Sequence, residues 1–119
     1  PCAAARKILG EDYLIGVSAH NPAEAKAALQ NGADYLGCGA VFGTATKADV
    51  QKLGTDGLAA ICREKGLPVV GIGGVTADNY REVLAVGADG AAIVSGILAQ
   101  SDIRATVKAI AKVSQEFAK

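Results

Sequence analysis

Along the chain, short apolar runs alternate with longer stretches in which apolar residues recur every three or four positions, the pattern of strands alternating with helices. After a helix-like run from Ala3 to Leu9, Tyr13-Leu14-Ile15-Gly16-Val17 is too short and too closely bounded by glycine for a helix, and reads as a first strand. Asn21-Pro22-Ala23-Glu24 then supplies an N-cap, a proline at the first helical position and an acid at the third, and the helix it opens stops at Gly32. Tyr35 to Phe42 predicts a second strand, residues 43 to 52 a polar loop, and Thr55 to Lys65 a helix closed by Gly66. Leu67 to Ile72 reads as a third strand entering Gly73-Gly74, with Thr76 capping a helix that Gly87 ends. Ala91 to Val94 is the fourth strand. Ser101 opens a last helix whose Ile103, Val107, Ile110, Val113 and Phe117 form one apolar stripe.

One junction occurs twice: Gly32-Ala33-Asp34-Tyr35 and Gly87-Ala88-Asp89-Gly90 each join a helix stop to a strand through Ala-Asp. Strands that are continuously apolar and alternate with helices imply parallel pairing with right-handed crossovers. That leaves an open doubly wound sheet or part of a barrel. No G-x-G-x-x-G follows the first strand, the usual mark of a dinucleotide-binding sheet. Four βα units are half of the eight that close a TIM barrel, and the length is about half of the roughly 250 residues such a barrel takes. The expectation is an α/β half-barrel spanning residues 1–119 as part of one domain.

Composition narrows the function classes. Half the residues are apolar and 15 are glycine, which suits short buried strands joined by tight loops. Lys plus Arg and Asp plus Glu each total 12, so no net charge draws the chain toward nucleic acid or an anionic membrane. Cys2, Cys38 and Cys62 are widely spaced and contain no C-x-x-C pair, which predicts reduced thiols and a cytoplasmic setting. No secretory signal is visible, and no apolar run approaches the roughly 18 residues that span a bilayer. The absence of any Met gives the expectation that the natural start lies upstream.

In a parallel barrel the chemistry gathers just beyond the carboxyl ends of the strands. Here those positions hold Ser18 and His20, then Thr44-Ala45-Thr46-Lys47, then Gly73-Gly74, then Ser95-Gly96. The two glycine-bearing junctions end successive strands, where backbone N–H groups can grip a phosphate; the plain alternative is that they only make tight turns. Two hydroxyls and an ammonium in the 44–47 loop can bind a carboxylate or pyrophosphate, or the loop can simply be solvated. His20, the one histidine, could act as acid or base, but a structural role at a helix entry accounts for it equally well. Asp49 and Asp78 do not make the carboxylate cluster an Mg²⁺ needs, and Asp34 and Asp89 fall at the opposite face.

Taken together, Ile15-Gly16-Val17-Ser18-Ala19-His20, Gly32 to Gly37, Thr44 to Asp49 and Val70 to Val75 resemble the thiamine phosphate synthase family across nearly the whole chain. The resemblance implies a TIM (β/α)8 barrel of which this chain supplies the C-terminal half, strands five to eight with their helices. It also implies a transferase that joins hydroxymethylpyrimidine diphosphate to thiazole phosphate and releases pyrophosphate with Mg²⁺. Carried over by motif, Ser18 and Lys47 would touch the pyrimidine diphosphate and carry the catalysis. Thr44, Ala45, Thr46, Gly74, Val94 and Ser95 would hold the thiazole phosphate. The family's Mg²⁺ ligands would lie in the N-terminal half, absent from this chain, so the chain alone is expected to be inactive. Gly43 stands where the family usually has proline, which predicts a looser loop.

Two rivals remain at this stage. A thiazole tautomerase of the same fold has a histidine after its fifth strand, like His20, although the intact Thr-Ala-Thr-Lys loop argues against it. A non-catalytic half-barrel that binds phosphates, or pairs with a second copy of itself, is the other. Its exposed strand edges would require a partner, either that second copy or the missing N-terminal half.

Overall fold

The computed structural model describes residues 2–42, 53–64 and 66–117. Helix α1 (Cys2–Leu9) leads into strand β1 (Gly16–Ala19), after which α2 (Pro22–Gln30), β2 (Tyr35–Cys38), α3 (Gly54–Cys62), β3 (Val69–Ile72), α4 (Tyr80–Ala85) and β4 (Gly90–Ala92) alternate. The short α5 (Ser95–Leu98) and the long α6 (Ile103–Phe117) close the described chain. The strands form one four-stranded parallel sheet in the order β1-β2-β3-β4. That order never reverses, so the sheet has no switch point of the doubly wound kind.

Register explains which residues build the core. Val17, Leu36 and Val69 pair in one row, and Ala19, Cys38, Gly71 and Ala91 in the next but one. Side chains alternate across a sheet, and these rows lie against the helices. Leu36, Cys38 and Val69 pack there with Ala25 and Ala28 of α2, Leu58 and Ile61 of α3, and Val83 of α4. A Cβ at Gly71 would already press on Val83 and Leu58. The intervening row, Ser18-Gly37-Val70-Gly90, faces the other way, and a Cβ added at Gly37 or Gly90 would meet nothing within 4 Å. Tyr35 and Ile72 share that open face and are 40% and 43% exposed.

The repeated Gly-Ala-Asp junction has one construction in both places. Asp34 N–H donates to the Ile15 carbonyl at 2.8 Å while its Oδ2 accepts Ile15 N–H at 2.7 Å. Asp89 repeats the pair on Val69, with 2.8 Å and 2.9 Å. Each aspartate thus satisfies the backbone at the amino end of the neighbouring strand and sets the register, at the face opposite the strand ends that carry the candidate chemistry. Arg6 ties α1 to the same corner, donating to the carbonyls of Gly32, Gly10 and Tyr13 and pairing with Asp34.

Element bounds differ from the sequence reading where apolar residues are not buried by pairing. The first strand begins at Gly16, not Tyr13, because Tyr13 and Leu14 stay 60% and 81% exposed. The second ends at Cys38, yet Val41 is fully buried: Val41 N–H and Phe42 N–H continue along β3, donating to Ile72 and Gly73 carbonyls. Thr76 does not open α4 directly. It begins a turn in which its Oγ1 accepts from Asp78 N–H and its N–H donates to Asn79 Oδ1, and the helix starts at Tyr80. For α6 the side chain at the start is that of Asp102, whose Oδ1 accepts from Ala105 N–H.

Candidate functional site

Because the strands are parallel and in register, their carboxyl ends emerge side by side, and the loops that follow them line one face of the sheet. Ser18 is the penultimate residue of β1, exposed on the open face of the sheet. His20 comes just after the strand. Its ring Nδ1 lies 2.9 Å from Glu24 Oε1, and its backbone N–H donates to the same oxygen at 3.0 Å. Asn21 caps α2 as the sequence predicts, its Oδ1 accepting from Glu24 N–H at 2.8 Å. Hydrogen bonding to His20 holds the Glu24 carboxyl below its usual range.

At the end of β3, Gly73 and Gly74 turn the chain with φ of 100° and 69°. Side chains rarely adopt that left-handed region, and at Gly73 a Cβ would also stand 2.8 Å from the Ala40 Cα. The Gly74 carbonyl is held by Asn79 Nδ2 at 3.0 Å. At the end of β4, Val94 and Ser95 are exposed and open α5, while Gly96 is buried so closely under the preceding turn that a Cβ would fall 2.3 Å from the Val75 carbonyl oxygen. The loops after β3 and β4 are therefore in direct contact, and no larger residue fits at Gly96 without moving them. Sequence reading identified the glycines at both junctions; α5 escaped it, because four residues are too few to show a helical period.

Thr44, Ala45, Thr46 and Lys47 lie outside the described residues, as does Asp49. The structure thus sets the loop that carries Gly74 against the turn that carries Val94 and Ser95, through Val75 and Gly96, and places Ser18 at the carboxyl end of β1, two strands away from β3. Among the described residues, no three His, Cys, Asp or Glu side chains converge in a way that could hold a metal ion, so these residues do not fit an Mg²⁺ site. Cys38 offers no nucleophile either, since burial pushes its thiol up to about 11. No helix among the described residues is long and apolar enough to cross a membrane.

A four-stranded parallel sheet with glycine-tight loops at its carboxyl edge defines an α/β protein, and comparison with known proteins narrows it to one family. The thiamine monophosphate synthase family profile matches residues 1–97, and the chain belongs to that family. A thiamine-phosphate synthase of Chloroflexus aurantiacus is 45% identical over 122 residues, covering 99% of this chain and 56% of the relative. One from Coprothermobacter proteolyticus is 46% identical over 92% of this chain and 52% of its own length. Among solved structures, a thiamine phosphate pyrophosphorylase from Pyrococcus furiosus superposes with a TM-score of 0.89 at 38% identity, over 100% of this chain and 56% of that one. The chain therefore spans little more than half the length of these relatives. A 3-hexulose-6-phosphate synthase from Salmonella typhimurium, at 21% identity and a TM-score of 0.73, shares the fold alone.

Proposed function

We propose that this chain is the substrate-gripping C-terminal half of a thiamine phosphate synthase barrel, strands five to eight, which forms the active enzyme together with an N-terminal half. The observation that carries this reading is the superposition on the Pyrococcus furiosus protein over all of this chain and 56% of that one. Strand order supports it, since a sheet that runs β1-β2-β3-β4 with its helices against one face is the arrangement expected of a barrel wall opened along two edges.

On this reading the loops after β3 and β4 hold the thiazole phosphate. Val94 caps the short α5, Ser95 begins it and Gly74 lies in the loop after β3, and barrels commonly build a phosphate site from the last two such loops and a short extra helix. Thr44, Ala45 and Thr46 complete that grip, while Ser18 and Lys47 meet the pyrimidine diphosphate. The bond from the pyrimidine methylene carbon to the diphosphate oxygen breaks with its electron pair leaving on pyrophosphate, and the thiazole nitrogen lone pair forms the new bond to that carbon. Lys47 stabilises the charge growing on the departing oxygen, a contribution of a few kcal/mol in sites of this kind. Mg²⁺ is expected from the family alone, with ligands in the N-terminal half.

The test is an assay of this chain co-expressed with an N-terminal half, supplied with both substrates and Mg²⁺. Thiamine phosphate and pyrophosphate should appear in equal amounts, and the Lys47→Ala form should lose turnover by about a hundredfold or more. A properly assembled barrel that makes no product, beside an active complete relative, would overturn the assignment.

A further inference from the structure

The pair formed by His20 and Glu24 carries more than helix capping requires. A capping box needs only that the side chain at the third helical position accept the N-cap's own backbone N–H; Glu24 instead accepts from His20 N–H, one residue before the Asn21 cap. The same oxygen also meets the His20 ring at 2.9 Å, and Asn21 Nδ2 donates to the other oxygen at 3.4 Å. This second contact has a direction. Glu24 is held ionised below its usual range, and an ionised carboxylate only accepts, so the hydrogen must sit on Nδ1. In the neutral form of the ring, a hydrogen on Nδ1 leaves Nε2 bare as an acceptor. The His20 side chain is 64% exposed, so that nitrogen is open to a ligand beyond the end of β1, two residues after Ser18.

A bare Nε2 is a poor partner for phosphate oxygens, which at neutral pH offer mainly lone pairs, and a good one for an N–H group on a heterocycle. We infer that Glu24 is a positioning residue that fixes His20 as the Nδ1–H tautomer, and that His20 Nε2 accepts a hydrogen bond from the heterocyclic part of a substrate seated at the strand ends. The inference rests on the synthase reading and assigns a division of labour within it. The glycine loops after β3 and β4 take the phosphate, and the loop after β1 recognises the ring.

The experiment uses the assembled protein, this chain together with its N-terminal half. Nitrogen-15 spectra of the His20 ring should show a protonated Nδ1 and a bare Nε2, and the Glu24→Ala form should lose that preference. His20→Asn keeps an amide near the Nδ1 position to bond Glu24 but has nothing where Nε2 stood. It should raise the KM for one heterocyclic substrate about tenfold, the effect of one hydrogen bond of ordinary strength, with kcat and thermal stability little changed. Glu24→Gln preserves the cap, because glutamine serves there as well as glutamate, and should raise the same KM by a smaller factor. A hydrogen on Nε2 in the unaltered protein, or an unchanged KM in His20→Asn, overturns the inference. Lys47→Ala is the parallel control: if it lowers turnover while His20→Asn does nothing, only this inference fails, whereas absence of product in the unaltered assembly means the synthase reading has failed.

Discussion

At the scale of single residues, the most consequential polar group sits away from the candidate site. Asp34 accepts from Ile15 N–H and pairs with Arg6, and these interactions, the backbone hydrogen bond first, hold its carboxyl below the ordinary value of 3.8. A carboxyl whose pKa is lower in the folded chain than in the unfolded one binds fewer protons when folded. Its contribution to stability is complete above pH 3.8 and is lost as the pH falls through the lower folded value. Acid unfolding should therefore steepen below about pH 4, and Asp34→Asn should flatten that limb of the stability curve while lowering the plateau at neutral pH. Denaturant unfolding of both forms between pH 2 and 7 measures it; parallel curves would show that Asp34 has no preferred ionised role. The Gly-Ala-Asp repeat was visible in the sequence as a pattern, but its purpose was not, because the hydrogen-bond partners Ile15 and Val69 lie 19 and 20 residues away.

Among elements, those with local signals were the most legible. The start of α2 was readable to the residue because Asn21, Pro22 and Glu24 each satisfy or spare a backbone N–H within one turn. Strand ends were read too generously, since burial of Val41 and exposure of Leu14 depend on what packs over them and not on local pattern. Of the candidate site, the strand-end positions Ser18, Gly74 and Ser95 followed from the βα alternation, whereas Val94 came only from the family resemblance. What the pattern could not supply was the direct contact between the loops after β3 and β4. A second contact, between the ends of β2 and β3, makes a prediction at this scale. Gly73→Ala combines a left-handed φ of 100° with a Cβ 2.8 Å from the Ala40 Cα, and Phe42 N–H is bonded to the Gly73 carbonyl, so relief of the clash must move the ends of both β2 and β3. The substitution should cost about 1–3 kcal/mol in denaturant unfolding and, on the proposed role of these loops, weaken phosphate binding at the same time. Unaltered stability would mean that the turn can reshape without disturbing its neighbours.

For the molecule as a whole, the decisive feature is where apolar surface remains uncovered. Tyr35 and Ile72 lie on the open face of the sheet, and Val94 and Leu98, each 67% exposed, lie beyond its β4 edge. Val107 and Ile103 continue the stripe of α6 past the point where Ile110 and Val113 meet the core. The sequence predicted that stripe correctly, yet only its middle finds partners in the described structure. Among the described residues, both outer strands, β1 and β4, also present an unpaired backbone edge. These surfaces face inward or sideways in a closed barrel, so the proposal that an N-terminal half covers them has a direct consequence for the 119-residue chain alone. Purified by itself, it should associate with concentration, bind a dye for exposed apolar surface and unfold over a broad range. Adding the N-terminal half should abolish dye binding, sharpen the transition, and protect the outward amides of β1 and β4 from hydrogen exchange. Dye binding and edge protection separate true closure from mere self-association, because two copies stacked through the open faces would hide Tyr35 and Ile72 yet leave the strand edges exchanging. An isolated monomer with a sharp cooperative melt would instead show that the four-stranded sheet is a complete folding unit, and the half-barrel proposal would fall with it.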